Sequence, residues 1–299
     1  MNIQTKIIPA LLLAICVSGS CLGGGEEQGG GEYRFYDLCR QNLELAREGR
    51  LAEDAFTLVQ YTTSGLVLEW EQDWRLAELL SDIYYEAGHM ALAQRYAFEA
   101  SVFAKGDYNP QMLRRLIQTN IIYGAYPVAE KYIAALEGDR KYGKWAAAQR
   151  LFLGNDEAVA ADPEYGAKRK CIPEEDFLSS ATGIEDLEHV IDANPEHHNS
   201  IEYLGVYYLL ACDFDSFTAL LEKYYGTAAL PRLPRSFAEA VCLMSEINYG
   251  YLRKYGVDGA IYKRYCAFAD RLGAGLGLSM EKYSDTYWYY VMKMNSQEQ

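Results

Sequence analysis

The chain has 299 residues, with 28 Lys and Arg against 42 Asp and Glu, for a formal net charge of −14. Such a surface repels phosphate backbones, whose recognition depends on cationic side chains, so nucleic acid is excluded as an expected partner. Half of the residues are hydrophobic, and the length suits one large or two ordinary domains.

The N-terminus comes first. Lys6 precedes an apolar run from Ile7 to Val17, followed by Ser18, Gly19, Ser20 and Cys21. That run is well short of the roughly 20 residues a bilayer crossing needs, and it ends in small residues, so it reads as an export signal. A cysteine directly after those small residues resembles the lipobox of bacterial lipoproteins, in which the thiol is acylated and the signal is cut before it. Ser18 stands where a large aliphatic residue is usual, and the rival Cys16 follows a bulky Ile15. The resemblance implies a signal at residues 1–20, lipidation of Cys21 and a flexible glycine-rich tether over 21–32. The body, residues 33–292, is then exported and lipid-anchored to the bacterial envelope, with the outer membrane as the expected site.

A first helical segment runs around Leu45 to Leu58, with a turn at Gly49. Leu76, Leu79, Leu80, Ile83, Tyr84 and Ala87 fall three and four apart, a helical stripe that stops at Gly88. Met90, Ala93, Ala97 and Ala100 form a second stripe, so the two make an antiparallel helical hairpin. Asn109-Pro110 marks the next start, because Asn caps well and Pro loses nothing at the first helical position. That helix ends at Gly124, and Tyr126, Ala129 and Tyr132 open its partner. Gly88 to Gly124 and Ala93 to Ala129 are both 36 residues apart, the equal offset of a repeat.

Trp145 to Phe152 reads as a degenerate repeat, and Asp162-Pro163 as another helix start. Residues 155–183 are the least regular and are expected to interrupt the stacking as a long loop. Capping boxes stand at Thr182 with Glu185 and at Ser236 with Glu239. A third repeat begins at Asn194-Pro195, carries Ile201, Leu204, Gly205, Tyr208, Phe214, Phe217 and Leu221, and closes at Gly226; Leu230 to Pro234 breaks the pattern. Leu204-Gly205 with Tyr208 three residues on is similar to the first-helix signature of tetratricopeptide repeats, and Leu80, Ser81 and Tyr84 fill the same slots. No valine- or isoleucine-rich alternation occurs. The expected fold is all-α, with tetratricopeptide-like antiparallel hairpins stacked into a solenoid.

Several strings carry a family resemblance: NIIYGAYPVAEKY at Asn120–Tyr132, IEYLGVYYLL at Ile201–Leu210, Leu221 through Gly226 with Leu230 and Pro234, and DTYWYY at Asp285–Tyr290. Over about residues 50–292 the chain resembles a family of uncharacterised proteins from gut-type Gram-negative bacteria. The family's helical-repeat region sits at the C-terminal end, often behind membrane-spanning helices. The resemblance implies no activity, and here a lipid anchor replaces the spanning portion.

Seven cysteines at 16, 21, 39, 171, 212, 242 and 266 are widely spaced, with no Cys-x-x-Cys pair, and imply neither a disulfide framework nor a zinc site. His189, His197 and His198, near Glu185, Glu188 and Glu196, lack the His-Glu-x-x-His order of zinc hydrolases and are expected as surface residues near helix starts. Lys168, Arg169 and Lys170 are expected to form a solvated loop. The 26 tyrosines are expected mainly in helix packing, and Tyr287-Trp288-Tyr289-Tyr290 is expected to cover the end of the last helix pair. No Gly-x-Ser-x-Gly elbow, Walker loop or Rossmann fingerprint is present. No catalytic residue, metal or cofactor is expected, and the chain is not expected to be an enzyme.

The repeat register predicts a binding face. First-helix positions Arg75, Glu78, Asp82 and Tyr85 in one repeat, with Gln111, Arg114 and Gln118 in the next, are polar where the rest of each helix is apolar. They face either solvent or a protein or peptide partner in the envelope. The alternative is a glycan-binding accessory lipoprotein of a nutrient-uptake system, with aromatic platforms.

Overall fold

The computed structural model describes residues 31–60, 62–69, 71, 73–103, 108–174, 183–275 and 280–297. Residues 1–20, Cys21 and the tether up to residue 30 lie outside the described residues, as does the Thr182 capping box.

The described chain is helical, and its only strand-like feature is an isolated bridge between Tyr225 and Leu230. In chain order the helices are α1 Gly31–Arg47, α2 Leu51–Asp54, α3 Trp74–Ala87, α4 Met90–Phe103, α5 Pro110–Ile122, α6 Tyr126–Leu136, α7 Gly143–Ala148, α8 Asp156–Ala161, α9 Pro163–Lys170, α10 Leu187–Ala193, α11 His198–Leu210, α12 Phe214–Tyr224, α13 Arg235–Met244, α14 Gly250–Lys254, α15 Gly259–Gly273 and α16 Tyr287–Gln297. They form two compact units, Val67–Leu204 and Met1–Leu66 with Gly205–Gln299, whose division falls inside α11. None of the described helices is long and apolar enough to cross a membrane.

In the Val67–Leu204 unit, α3 packs on α4, α4 on α5, and α5 on α6. Ala77, Ala97, Ala100, Met112 and Leu116 close a core between α3, α4 and α5, with Leu113 and Tyr132 against it. The hairpin turns are made locally. Gly88 and Gly124 have φ of 89° and 73°; their N–H groups bond to Tyr85 O and Ile121 O, and the next N–H groups reach back to Tyr84 O and Asn120 O. This is the Schellman closure, and it needs a left-handed residue, which is why glycine recurs there. Asn109 caps α5 by accepting from Met112 N at 3.2 Å, with Pro110 in the first turn.

Residues 155–183 differ from the long loop expected of them. Asn155 caps α8, Asp162 caps α9, and Pro163 opens α9, so two short helices occupy the first half of the stretch. The Asn194-Pro195 start is also displaced: α11 begins at His198, and the Asn194 amide instead donates to Ala167 O at 3.1 Å.

In the other unit, α13 packs on α2, α14, α15 and α16. The Ser236–Glu239 capping box does not form. Ser236 is buried and its hydroxyl donates to Ala52 O at 2.5 Å, while the Glu239 carboxylate accepts from Arg235 Nε at 2.9 Å and from Tyr287 N at 2.8 Å. Glu239 therefore caps α16 rather than its own helix. Asp285 is held by Arg235 at 2.7 Å and Arg264 at 2.6 Å. Burial raises its pKa, yet the two guanidinium hydrogen bonds outweigh that and hold it at about 2.

The Tyr287–Tyr290 cluster lies inside this unit. Tyr287 and Tyr290 donate to Leu209 O at 3.1 Å and Leu210 O at 2.7 Å, the terminal carbonyls of α11, and Trp288 Nε1 donates to Glu239 O at 2.7 Å. Phe56, just after α2, packs its ring 4.9 Å from Tyr287. Residues more than 200 apart in sequence thus close this core. Cys39, Cys171, Cys212 and Cys242 are buried free thiols and Cys266 is half-buried.

Candidate functional site

The seven face residues predicted from the repeat register lie on α3 and α5, and the structure joins those two helices through them. Glu78 accepts from Asn109 Nδ2 at 2.6 Å. Asp82 accepts from Arg115 Nη2 at 2.8 Å. Tyr85 and Gln118 both donate to one carboxylate oxygen of Glu164, at 2.5 and 3.0 Å. The Arg115 guanidinium lies 3.5 Å from the Tyr85 ring centroid, a cation–π contact in a largely dry setting. Tyr85, Arg115 and Gln118 are buried, Glu78, Asp82 and Arg114 are half-buried, and Arg75 and Gln111 are exposed. The inner half of the predicted face is thus engaged within the chain; Arg75, Gln111 and Arg114 remain at its edge. The Arg114 guanidinium sits 5.0 Å from the Trp145 ring centroid.

The partner of that inner half is α9, from the stretch expected to be irregular. Its basic run is not a solvated loop. Lys168 is buried, and its Nζ donates to Tyr85 O at 2.5 Å, Glu86 O at 3.2 Å and His197 Nε2 at 3.0 Å. Arg169 donates through Nε to Ile122 O and through Nη2 to Ile121 O, both at 2.9 Å. Consecutive residues of α9 thus cap the C-termini of α3 and α5, where the last carbonyls lack helical partners and the helix dipole is negative. Of the run, Lys170 alone is exposed.

His197 is likewise not an exposed surface residue: it is half-buried, and its ring nitrogens are engaged by buried groups. The Ser200 hydroxyl donates its proton to Ala87 O at 2.8 Å, so the 2.8 Å contact between Ser200 and His197 Nδ1 requires Nδ1–H as donor. Nε2 is then the acceptor for Lys168, and the imidazole is neutral. Burial first, and the Lys168 charge next, pull its pKa down to about 3. Burial also lowers the Lys168 pKa. Ser200 is fully buried with its hydroxyl committed, so this Ser–His pair orients a helix end rather than a nucleophile. Among the described residues, no three His, Cys, Asp or Glu side chains lie close enough to hold a metal.

Arg115, Glu164, Lys168 and His197 were missed in the sequence. Arg115 could have been found, since it shares the helical stripe of Gln111 and Gln118. The others come from segments whose approach to α3 no local pattern signals.

A family model covers residues 32–294. The chain belongs to DUF6057, a family of unknown function. No curated protein and no solved structure matches this DUF6057 chain. The matched region takes in the whole Val67–Leu204 unit, most of the described residues of the other, and every residue of the face described above.

Proposed function

We propose that this DUF6057 chain is a lipid-anchored helical-repeat scaffold that binds a protein or peptide partner in the cell envelope of a Gram-negative bacterium. Cys21 is the acylated residue in this reading, residues 1–20 the signal and the glycine-rich stretch the tether. The pairs α3–α4, α5–α6 and α11–α12 are its tetratricopeptide-like hairpins, stacked as a solenoid. Its role is binding rather than catalysis, because such surfaces offer many shallow contacts.

One observation carries the reading. The first helices of successive hairpins, α3 and α5, are cross-linked through the side chains the register placed on one face, by Glu78–Asn109 and Asp82–Arg115. At the edge of that juxtaposition Arg75 and Gln111 are exposed and Arg114 is half-buried against Trp145; in this reading a partner contacts these side chains. The glycan alternative calls for several flat exposed rings side by side, whereas Tyr84, Tyr85, Tyr208 and Tyr224 are buried in helix packing and the exposed Phe98, Tyr108, Tyr123 and Tyr249 come from separate helices and turns.

Affinity purification from detergent-extracted membranes tests the face. Arg75→Glu with Arg114→Glu should strip the co-purifying partner from a chain whose circular dichroism shows it still folded; the same partners at the same yield would sink the reading. Cys21→Ser should abolish the acyl mass on the N-terminal peptide and move the chain out of the membrane fraction.

A further inference from the structure

The turn after α13 places two large apolar side chains in water: Ile247 is 73% exposed and Tyr249 68%. It is not a loose loop. Glu246 N, Ile247 N and Tyr251 N bond to Leu243 O, Met244 O and Asn248 O, and Gly250 N is held by the Asn248 side chain at 3.0 Å. An ordered turn thus holds these groups outward. The one acid in it is drawn inward, since the Glu246 carboxylate accepts from Tyr265 OH at 3.0 Å. The Tyr249 ring meets the half-buried Tyr262 ring edge-on at 6.1 Å, which widens the apolar tip.

Positive charge is concentrated here, as it also is at Arg140, Lys141, Lys144 and Arg150, but here it flanks a pair of exposed apolar side chains. Residues 247–264 contain Arg253, Lys254, Lys263 and Arg264 against the single acid Asp258, in a protein of net charge −14. Arg264 is tied to Asp285, and Lys254 to Glu222 at 3.0 Å, while Arg253 and Lys263 are exposed. The same eighteen residues carry Tyr249, Tyr251, Tyr255 and Tyr262. An apolar tip, tyrosines and flanking cations form the composition that settles at a lipid headgroup boundary, with aromatics at the interface and cations on the phosphates.

We infer that the Ile247–Tyr249 turn, flanked by Arg253 and Lys263, docks on an anionic phospholipid surface. This rests on the reading that the chain is held at a membrane. Nine residues lie between Cys21 and Gly31, the first described residue of the same compact unit; fully extended, the ten Cα-to-Cα steps span about 35 Å, so an acylated chain keeps this unit within reach of the bilayer. At that proximity even weak attraction is effective, because tethering makes docking intramolecular. The acidic segments of the chain are repelled by the same headgroups, which favours a face where cations flank exposed apolar groups.

The test uses the full chain purified from cell membranes, with an environment-sensitive nitrobenzoxadiazole dye on Ile247→Cys and, as control, on Val59→Cys, a comparably exposed apolar position that follows the acidic Glu53 and Asp54. Both are mixed with vesicles of phosphatidylcholine alone or with phosphatidylglycerol. Docking predicts a blue-shifted, brighter dye at 247 in phosphatidylglycerol vesicles only, and an unchanged dye at 59. Arg253→Gln with Lys263→Gln should weaken that response roughly ten-fold or more, since each headgroup-bound cation contributes on the order of a few-fold in partitioning. An aqueous dye at 247 with every vesicle, or a shift only on adding envelope proteins, overturns the inference and in the second case points to an acidic protein partner. Acyl mass and vesicle flotation, read on the same samples, report on Cys21 separately: an anchored chain with an aqueous dye at 247 keeps the anchor and removes the docking face.

Discussion

At the scale of single residues, two positions show how closely the backbone constrains side-chain choice. A Cβ built on Gly205 would lie 2.1 Å from Phe237 Cζ, and Phe237 is fully buried against Phe217 at 5.2 Å. Gly205→Ala gains helix propensity but drives a ring out of a filled core, so a net loss of about 1–2 kcal/mol is expected. Urea unfolding should show that loss, and Phe237→Leu in the same chain should recover part of it. The turn from α11 to α12 repeats the Schellman closure of Gly88 and Gly124, with Cys212 N bonded to Leu209 O and Asp213 N to Tyr208 O, yet Cys212 holds φ at 53° with a side chain attached. Comparing Cys212→Gly with Cys212→Ala isolates that strain, because both remove the thiol. The glycine variant should be the more stable by roughly 1 kcal/mol in denaturant unfolding. A tie or the reverse order would show that the left-handed backbone carries no strain.

At the scale of elements, α9 decides how the Val67–Leu204 unit is tied together. Its Lys168 and Arg169 satisfy the terminal carbonyls of α3 and α5, and Ser200 at the start of α11 satisfies Ala87 O. Lys168→Met keeps the stem but removes buried hydrogen bonds to Tyr85 O, Glu86 O and the His197 acceptor, so stability should drop by about 1–3 kcal/mol, whereas exposed Lys170→Met should be neutral. Equal midpoints for the two variants would remove the capping account. Much of this element was legible in the sequence and its role was not. Asp162-Pro163 announces a helix start through local chemistry. A row of Lys168, Arg169 and Lys170 nevertheless reads as solvated, because a buried cation is costly unless partnered, and its partners Tyr85 and Ile121 lie 83 and 48 residues away. The predicted face was half legible for the same reason. Helical spacing put Glu78, Asp82, Tyr85 and Gln118 on one side, but it cannot say that Glu164 covers Tyr85 and Gln118.

At the scale of the whole molecule, buried histidines set the response to acid. Burial lowers the pKa of His197 to about 3 and lowers that of His89, where the nearby Asp186 only partly opposes it. Their unfolded values lie near 6.5, so between about pH 6.5 and 3 the unfolded chain binds more protons and stability falls as pH falls. Each such histidine contributes up to about 1.4 kcal/mol per pH unit at the steepest. Asp285, held at about 2, adds a further loss only below about pH 4. The urea midpoint should therefore be lower at pH 5 than at pH 7.5, and His197→Gln should flatten the difference. An unchanged slope in that variant would place the acid sensitivity elsewhere.

By itself the sequence determined the helices, most of their caps and their turns, since Asn109-Pro110, Asp162-Pro163 and the glycines at 49, 88 and 124 act within one turn of the backbone they control. Membership of an all-helical repeat-like chain follows from the same short-range periodicity. Only the tertiary structure decided that Ser236 and Glu239 serve Ala52 and α16 rather than their own helix, that Phe56 packs against Tyr287, and that α9 closes over α3 and α5. These outcomes depend on which distant groups are desolvated together, and the energy of a buried hydrogen bond or charge is set by its surroundings rather than by its neighbours in the chain.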